Sequence, residues 1–160
     1  NYALLSGMSS RAIQLLQDSK LTIKVNNKYT AVHAGIGPRI QYLPEQINAK
    51  QLLALPRKER DKLSSLTFTR YINPKGYPVS LGQETSADIY WASLYDGRFG
   101  IILYGHQPMD VPKKFPYAIA LDTGCVFGGR LSALILKEDD TEEYQTIKAQ
   151  KQYCAESVNF

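Results

Sequence analysis

The chain is short of the residues that most often carry chemistry. It has two histidines, two cysteines, two methionines and one tryptophan in 160 residues. Two cysteines, Cys125 and Cys154, cannot build a disulfide framework. One bridge is all they allow, and a reducing cytoplasmic location is the simpler reading. Long apolar runs are missing too. None approaches the roughly 20 residues that span a bilayer, so no membrane helix is expected. The opening NYALLSGMSS has no basic stretch ahead of an apolar one, so no secretory signal is read there. It also lacks an initiator methionine, and removal of an upstream segment is expected. Internal repeats and low-complexity tracts are absent. Charge of one sign is not concentrated anywhere: the net charge is +4, and the basic residues are scattered. The mixed run PRKERDK (56–62) reads as a solvated helix face, not a nucleic-acid patch.

What remains is an ordinary globular composition, 44% hydrophobic and 21% charged, on a chain long enough for one domain with a real core. Residues 8–18 place Ile13, Leu15 and Leu16 on one helical face behind capping serines. KLTIKV (20–25) and KYTAVHA (28–34) read as a hairpin whose Asn-Asn turn tolerates positive φ. Short helices are expected over 47–55 and after Pro56. Alternation predicts a strand over 65–72, and one or two helical turns follow at 88–95. Strands are read at 100–105, 117–122 and 130–136, ahead of a polar tail that closes with a weak strand or helix. The elements read as α/β or α+β, a mixed β-sheet with flanking helices.

Both histidines sit at strand ends among small residues. His33 lies in AVHAGIG and His106 in LYGHQP. Imidazole is the commonest metal-binding side chain, and glycine lets a ligand approach the backbone. A hydrogen-bonded core histidine is the plain alternative for each. Asp122 ends the next strand sixteen residues after His106. A carboxylate there orients an imidazole or a metal-bound water, or caps the turn Asp122-Thr123-Gly124.

The segments VHAGI, YGHQP and ALDTGCVFGGRLSALIL resemble the second half of a calcineurin-like metallophosphoesterase of the phosphoprotein-phosphatase type. The resemblance is nearest to the bacterial bis(5′-nucleosyl)-tetraphosphatases and the phosphatase module of polynucleotide kinase-phosphatases. Trp91, Ala92, Tyr95 and Gly97 extend it upstream, and it covers roughly residues 20–136. It implies a two-sheet sandwich with two divalent metal ions (Mn, Zn, Fe or Ni) at strand ends. His33 and His106 match two ligands of one ion, and Asp122 matches a supporting aspartate. Arg70, in FTRYI, matches a substrate-side arginine, whose guanidinium grips phosphate in bidentate fashion; an exposed strand arginine is the plain alternative. Trp91 and Tyr104 are read as core packing ahead of nucleobase stacking.

The family's other motifs, Gly-Asp-x-His-Gly, Gly-Asp-x-x-Asp-Arg-Gly and Gly-Asn-His-(Glu/Asp), do not occur, because the sequence contains no Gly-Asp or Asn-His dipeptide. The expectation is therefore residues 1–160 as the C-terminal part of one metallophosphoesterase domain, with core residues 20–136. Residues 20–136 are expected to lie mainly in one sheet, leaving an apolar face. Its expected partner is the N-terminal half of the same domain, as a separate polypeptide, a nicked parent or a cropped record. The implied activity is metal-dependent hydrolysis of phosphoesters or nucleoside polyphosphates. A catalytically incomplete binding or regulatory module and a nucleic-acid 3′-end phosphatase stand as alternatives.

Overall fold

The computed structural model describes residues 7–139 and 141–154. A first helix, α1 (Ser10–Asp18), starts where the Ser9 hydroxyl accepts the Ala12 amide. Its apolar residues are not a buried face: Leu15 and Leu16 are 66% and 50% exposed. Strands β1 (Thr22–Lys24) and β2 (Tyr29–Val32) form the expected antiparallel hairpin. The turn works differently from the expectation. Neither asparagine adopts positive φ. Instead the Asn26 side chain accepts the Lys28 and Tyr29 amides at 2.8 and 3.0 Å, which closes the turn without αL geometry.

Helix α2 (Ala49–Ala54) begins with a reciprocal cap between Asn48 and Gln51. Helix α3 (Arg57–Ser64) follows Pro56 and buries Leu63. The predicted strand over 65–72 is mostly not a strand. Residues Ser65–Thr67 continue α3 as a 3-10 turn, and only β3 (Tyr71–Ile72) is extended. The hydroxyls of Ser65, Thr67 and Thr69 donate back to the carbonyls of Lys62, Ser64 and Ser65. Such local bonds compete with a ladder. The buried positions are Ser65, Leu66, Thr69 and Ile72, which do not alternate, while Phe68 is exposed. The apparent alternation was misleading there.

Strand β4 (Ile89–Tyr90) pairs with β3 and runs into the single helical turn α4 (Trp91–Leu94). Next come β5 (Ile101–Tyr104), β6 (Lys113–Phe115) and β7 (Ala118–Ala120). The main sheet has the order β1-β2-β5-β7-β6, with β2, β5 and β7 parallel and antiparallel strands at both edges. Its centre is dry: Ile102, Ala118, Ile119 and Ala120 are fully buried. Full burial of a side chain the size of Ile102 contributes about 1.5–3 kcal/mol.

The remaining strands leave this sheet. β8 (Asp122–Thr123), β9 (Arg130–Leu136) and β10 (Glu142–Lys148) form a second, antiparallel sheet in the order β10-β9-β8. The polar tail is thus a full seven-residue strand, paired from Glu142↔Leu136 to Lys148↔Arg130. Five strands between Lys20 and Leu136 thus share the main sheet, while β8 and β9 leave it. Glu142 ties the two sheets together, accepting from the Tyr29 hydroxyl at 2.7 Å and from Lys114 Nζ at 2.6 Å. On the outer face of β9–β10, Leu131 and its cross-strand partner Ile147 are 60% and 67% exposed. Among the described residues no helix is long and apolar enough to cross a membrane.

Candidate metal centre

Parallel pairing decides where the histidines go. Because β2 and β5 run the same way and are paired in register, the residues just beyond both strands emerge at one edge. Ligand sites in sheets of this kind form at the carboxyl ends of the strands. His33 follows β2, His106 follows β5 by two residues, and the Gly105 amide donates to the His33 carbonyl at 3.0 Å. The imidazoles meet. His33 Nε2 and His106 Nδ1 are 3.2 Å apart, with ring centroids at 4.9 Å and planes tilted by 57°.

His106 is held under constraint. Its φ is +70°, the only positive value at a non-glycine among the described residues. Such a backbone costs energy and persists where the surroundings enforce it. The half-buried ring has Nδ1 on His33, while buried Nε2 has no hydrogen-bond partner among the described residues. Burial pushes the imidazole pKa down to about 4, with help from the charges of Arg70 and His33 and against the pull of Asp122. The ring is therefore neutral near pH 7, the state that offers a lone pair to a metal.

Asp122 arrives at the same edge through β8. A Cβ on Gly105 would lie 3.5 Å from the Asp122 Cβ and 3.9 Å from Oδ2. Its Oδ1 accepts the Gly124 amide at 3.0 Å, so the turn-capping role is present. That turn depends on Gly124, which sits at φ +68°. A direct hydrogen bond to His106 is not made. Arg70 is half-buried just before β3, and its charge is felt at His106.

Trp91 and Tyr104 belong to the core. Trp91 is 1% exposed and Tyr104 3%, their rings meet edge-on at 4.7 Å, and the Tyr90 hydroxyl donates to that of Tyr104. Burial raises the Tyr104 pKa. Gly35 makes room for this packing: a Cβ there would fall 2.5 Å from Trp91 Nε1 and 2.6 Å from the Thr69 carbonyl. Gly35, two residues after His33, thus serves the packing of Trp91, and Gly37 faces Ile72.

The histidine pair fits one ion. With metal–nitrogen bonds of about 2.0–2.1 Å, two ligands of one ion lie about 3.0 Å apart at a right angle and about 3.4 Å apart at the tetrahedral angle. The observed 3.2 Å falls between. Among the described residues no group of three His, Cys, Asp or Glu side chains converges to hold a metal. The strained φ and the unmet Nε2 have no signature in the sequence.

Fold and sequence together indicate a calcineurin-like metallophosphoesterase, matched here over part of its length. The particular relatives are bis(5′-nucleosyl)-tetraphosphatases PrpE, described as asymmetrical. The chain is 29% identical to the one from Oceanobacillus iheyensis over 152 residues, 94% of this chain and 52% of the relative. It is 41% identical to the Bacillus subtilis protein over 116 residues, 72% of this chain and 39% of the relative. The chain therefore spans about half, or less, of the length of these relatives. A crystal structure described provisionally as a diadenosine tetraphosphatase shares the fold, with a TM-score of 0.60 at 21% identity over 90% of this chain and 58% of the other. No family model matches the chain.

Proposed function

We propose that this chain supplies part of a metal-dependent phosphohydrolase that cleaves nucleoside polyphosphates or phosphoesters, with His33 and His106 as two ligands of one divalent ion. The single observation that carries this reading is the 3.2 Å approach of His33 Nε2 to His106 Nδ1 at the carboxyl edge of parallel strands. The names of the tetraphosphatase relatives support the substrate class. A bound pair of divalent ions polarises phosphoryl oxygens and lowers the pKa of water to near neutrality.

The chain's own residues act around that chemistry. His33 Nε2 and His106 Nδ1 offer lone pairs, and neutral imidazoles leave the positive charge of the site undiminished. The surroundings keep His106 deprotonated well below pH 7, so no proton competes for the nitrogen. With Nδ1 as ligand, Nε2 carries the proton. Asp122 fixes the Gly124 turn beside Gly105, and its charge favours the imidazolium side of His106 only weakly against burial. Arg70 stands at the edge as the cation for a phosphate oxygen. The remaining metal ligands come from a segment outside these residues, in the same polypeptide or a second one. The apolar outer face around Leu131 and Ile147 is where that segment packs.

A substrate panel tests the proposal. Diadenosine tetraphosphate, polyphosphate, a phosphopeptide and a 3′-phosphorylated RNA are offered with Mn²⁺ to the protein carrying its remaining ligands. Hydrolysis of the tetraphosphate, lost in His33→Ala and His106→Ala, is expected. Preference for the 3′-phosphate would favour the nucleic-acid-end reading. Nucleotide binding without hydrolysis under any divalent metal would leave the regulatory-module reading.

A further inference from the structure

The turn that carries His106 is gripped from both sides. The Gln107 amide donates to the Gly105 carbonyl at 2.9 Å across His106, whose φ is +70°. That bond and that sign of φ define the rarer, strained kind of γ-turn. Its entry is fixed twice: the Leu121 amide donates to the Tyr104 carbonyl at 2.8 Å, and the Gly105 amide donates to the His33 carbonyl at 3.0 Å. Its exit is fixed by the Met109 amide, which donates to the Asp122 carbonyl at 3.0 Å. Leu121 and Asp122 are adjacent, so one dipeptide holds both Tyr104 and Met109 and closes the loop between them. Met109 also packs against the core.

Pro108 stands between the strained residue and this anchor. Its ring lies against the turn that Asp122 caps: a Cβ added at Gly124 would meet the Pro108 Cβ at 3.7 Å. Proline locks its own φ at about −65° and disfavours the helical region for the residue before it, here Gln107. Two residues whose rotation would unwind the turn are thereby stiffened.

We propose that Pro108 is a positioning residue for the metal centre: braced on the Gly124 turn and the Met109–Asp122 bond, it holds the strained turn that presents His106 Nδ1 to His33 Nε2. The inference rests on the reading of these two histidines as ligands of one ion. Without the proline ring, Gln107 and residue 108 regain the helical region, the φ of His106 relaxes, and Nδ1 swings away from His33. Apparent metal affinity then falls with the fraction of molecules in the presenting geometry, so a fraction of about one tenth weakens binding about tenfold.

The test compares Pro108→Gly with Pro116→Gly, which alters an exposed proline between β6 and β7, in the protein carrying its remaining ligands. Each substitution frees the unfolded chain by one proline. In the metal-free protein, nuclear Overhauser contacts between the ring protons of His33 and His106 report the approach of the imidazoles. Titration with Mn²⁺, read by its nitrogen-coupled spin-echo signal, reports affinity. Wild type and Pro116→Gly should show the ring contact and bind Mn²⁺ alike. Pro108→Gly should lose the ring contact and bind Mn²⁺ about tenfold more weakly, with a cooperative urea transition retained. If Pro108→Gly does not fold, Pro108→Ala, which keeps the Cβ facing Gly124, is read in its place with the same direction of change. A ring contact and Mn²⁺ affinity unchanged at position 108, or lowered equally in Pro116→Gly, overturn the proposal and leave the ligand reading standing. A wild type with neither ring contact nor nitrogen-coupled Mn²⁺ overturns the ligand reading and the proposal with it.

Discussion

The two ends of the parallel pair β2–β5 are furnished in opposite ways. Beside the amino ends, at Asn27 and Gly100, lies a depression of about 430 Å³ that also touches Thr22, Lys24, Tyr42 and Arg98. At the carboxyl ends two imidazoles meet. The depression has volume, yet its arginine is committed to the fold: Arg98 Nε bonds Asp96 at 2.8 Å, and Nη1 donates to the Pro38 and Ile40 carbonyls at 3.2 and 3.4 Å. The histidine edge has a forced φ, a buried nitrogen with no partner among the described residues and a base kept neutral. Satisfied polar groups mark structure, and unmet valences held at a cost mark function. Volume alone points to the opposite end from these features.

The strongest way to break this comparison is to remove a ligand. His106→Ala should cost more activity than the roughly 10–100-fold typical of losing an outer partner, with bound metal falling in parallel. A loss confined to stability would demote the histidine edge. Next in size is Asp122. Asp122→Ala should lower kcat about 10–100-fold. Asp122→Asn keeps an acceptor for the Gly124 amide, so it should retain the thermal midpoint while losing activity. If Asn restores both, the aspartate is only a cap.

Gly35→Ala probes the packing that supports the edge. Its Cβ would strike Trp91 and the Thr69 carbonyl. Overpacking of this kind costs about 1–3 kcal/mol, read as a lower urea midpoint at constant slope.

A smaller effect concerns pH in the metal-free protein. The His106 pKa is near 4 in the fold and about 6.5 in the unfolded chain. The unfolded chain therefore binds the proton first as pH falls. The His106 contribution to stability is fully present above about pH 6.5 and is lost progressively down to about pH 4. His106→Gln should flatten that part of the stability profile. The smallest effect belongs to the opposite end: Lys24→Ala, on the wall of the depression, should leave kcat/KM within about twofold, as exposed substitutions usually do.

Much of this was legible in the sequence. His33 and His106 stood out by their strand-end, glycine-rich settings, and the hairpin of β1 and β2 was legible in KLTIKV and KYTAVHA, although Ile23 and Val25 are exposed and Thr22 buried. Three things were hidden. Back-bonding hydroxyls turned Ser65–Thr67 into a 3-10 turn under an alternating pattern. Asn26 closed its turn through its side chain, which composition cannot distinguish from positive φ. The tail from Glu142 to Lys148 read only as a weak strand or helix, because its ladder to β9 and the Tyr29–Glu142 bond are long-range and invisible locally. Burial of one His106 nitrogen is a tertiary property of the same kind.

The central claim is that His33 and His106 share one metal ion. It is tested most directly by electron spin-echo spectroscopy of Mn²⁺ bound to the protein carrying its remaining ligands, read for nitrogen couplings. Two histidine nitrogens should couple to one bound Mn²⁺, one of them lost in His33→Ala and the other in His106→Ala. Bound Mn²⁺ with no nitrogen coupling, or with couplings untouched by both substitutions, would contradict the account.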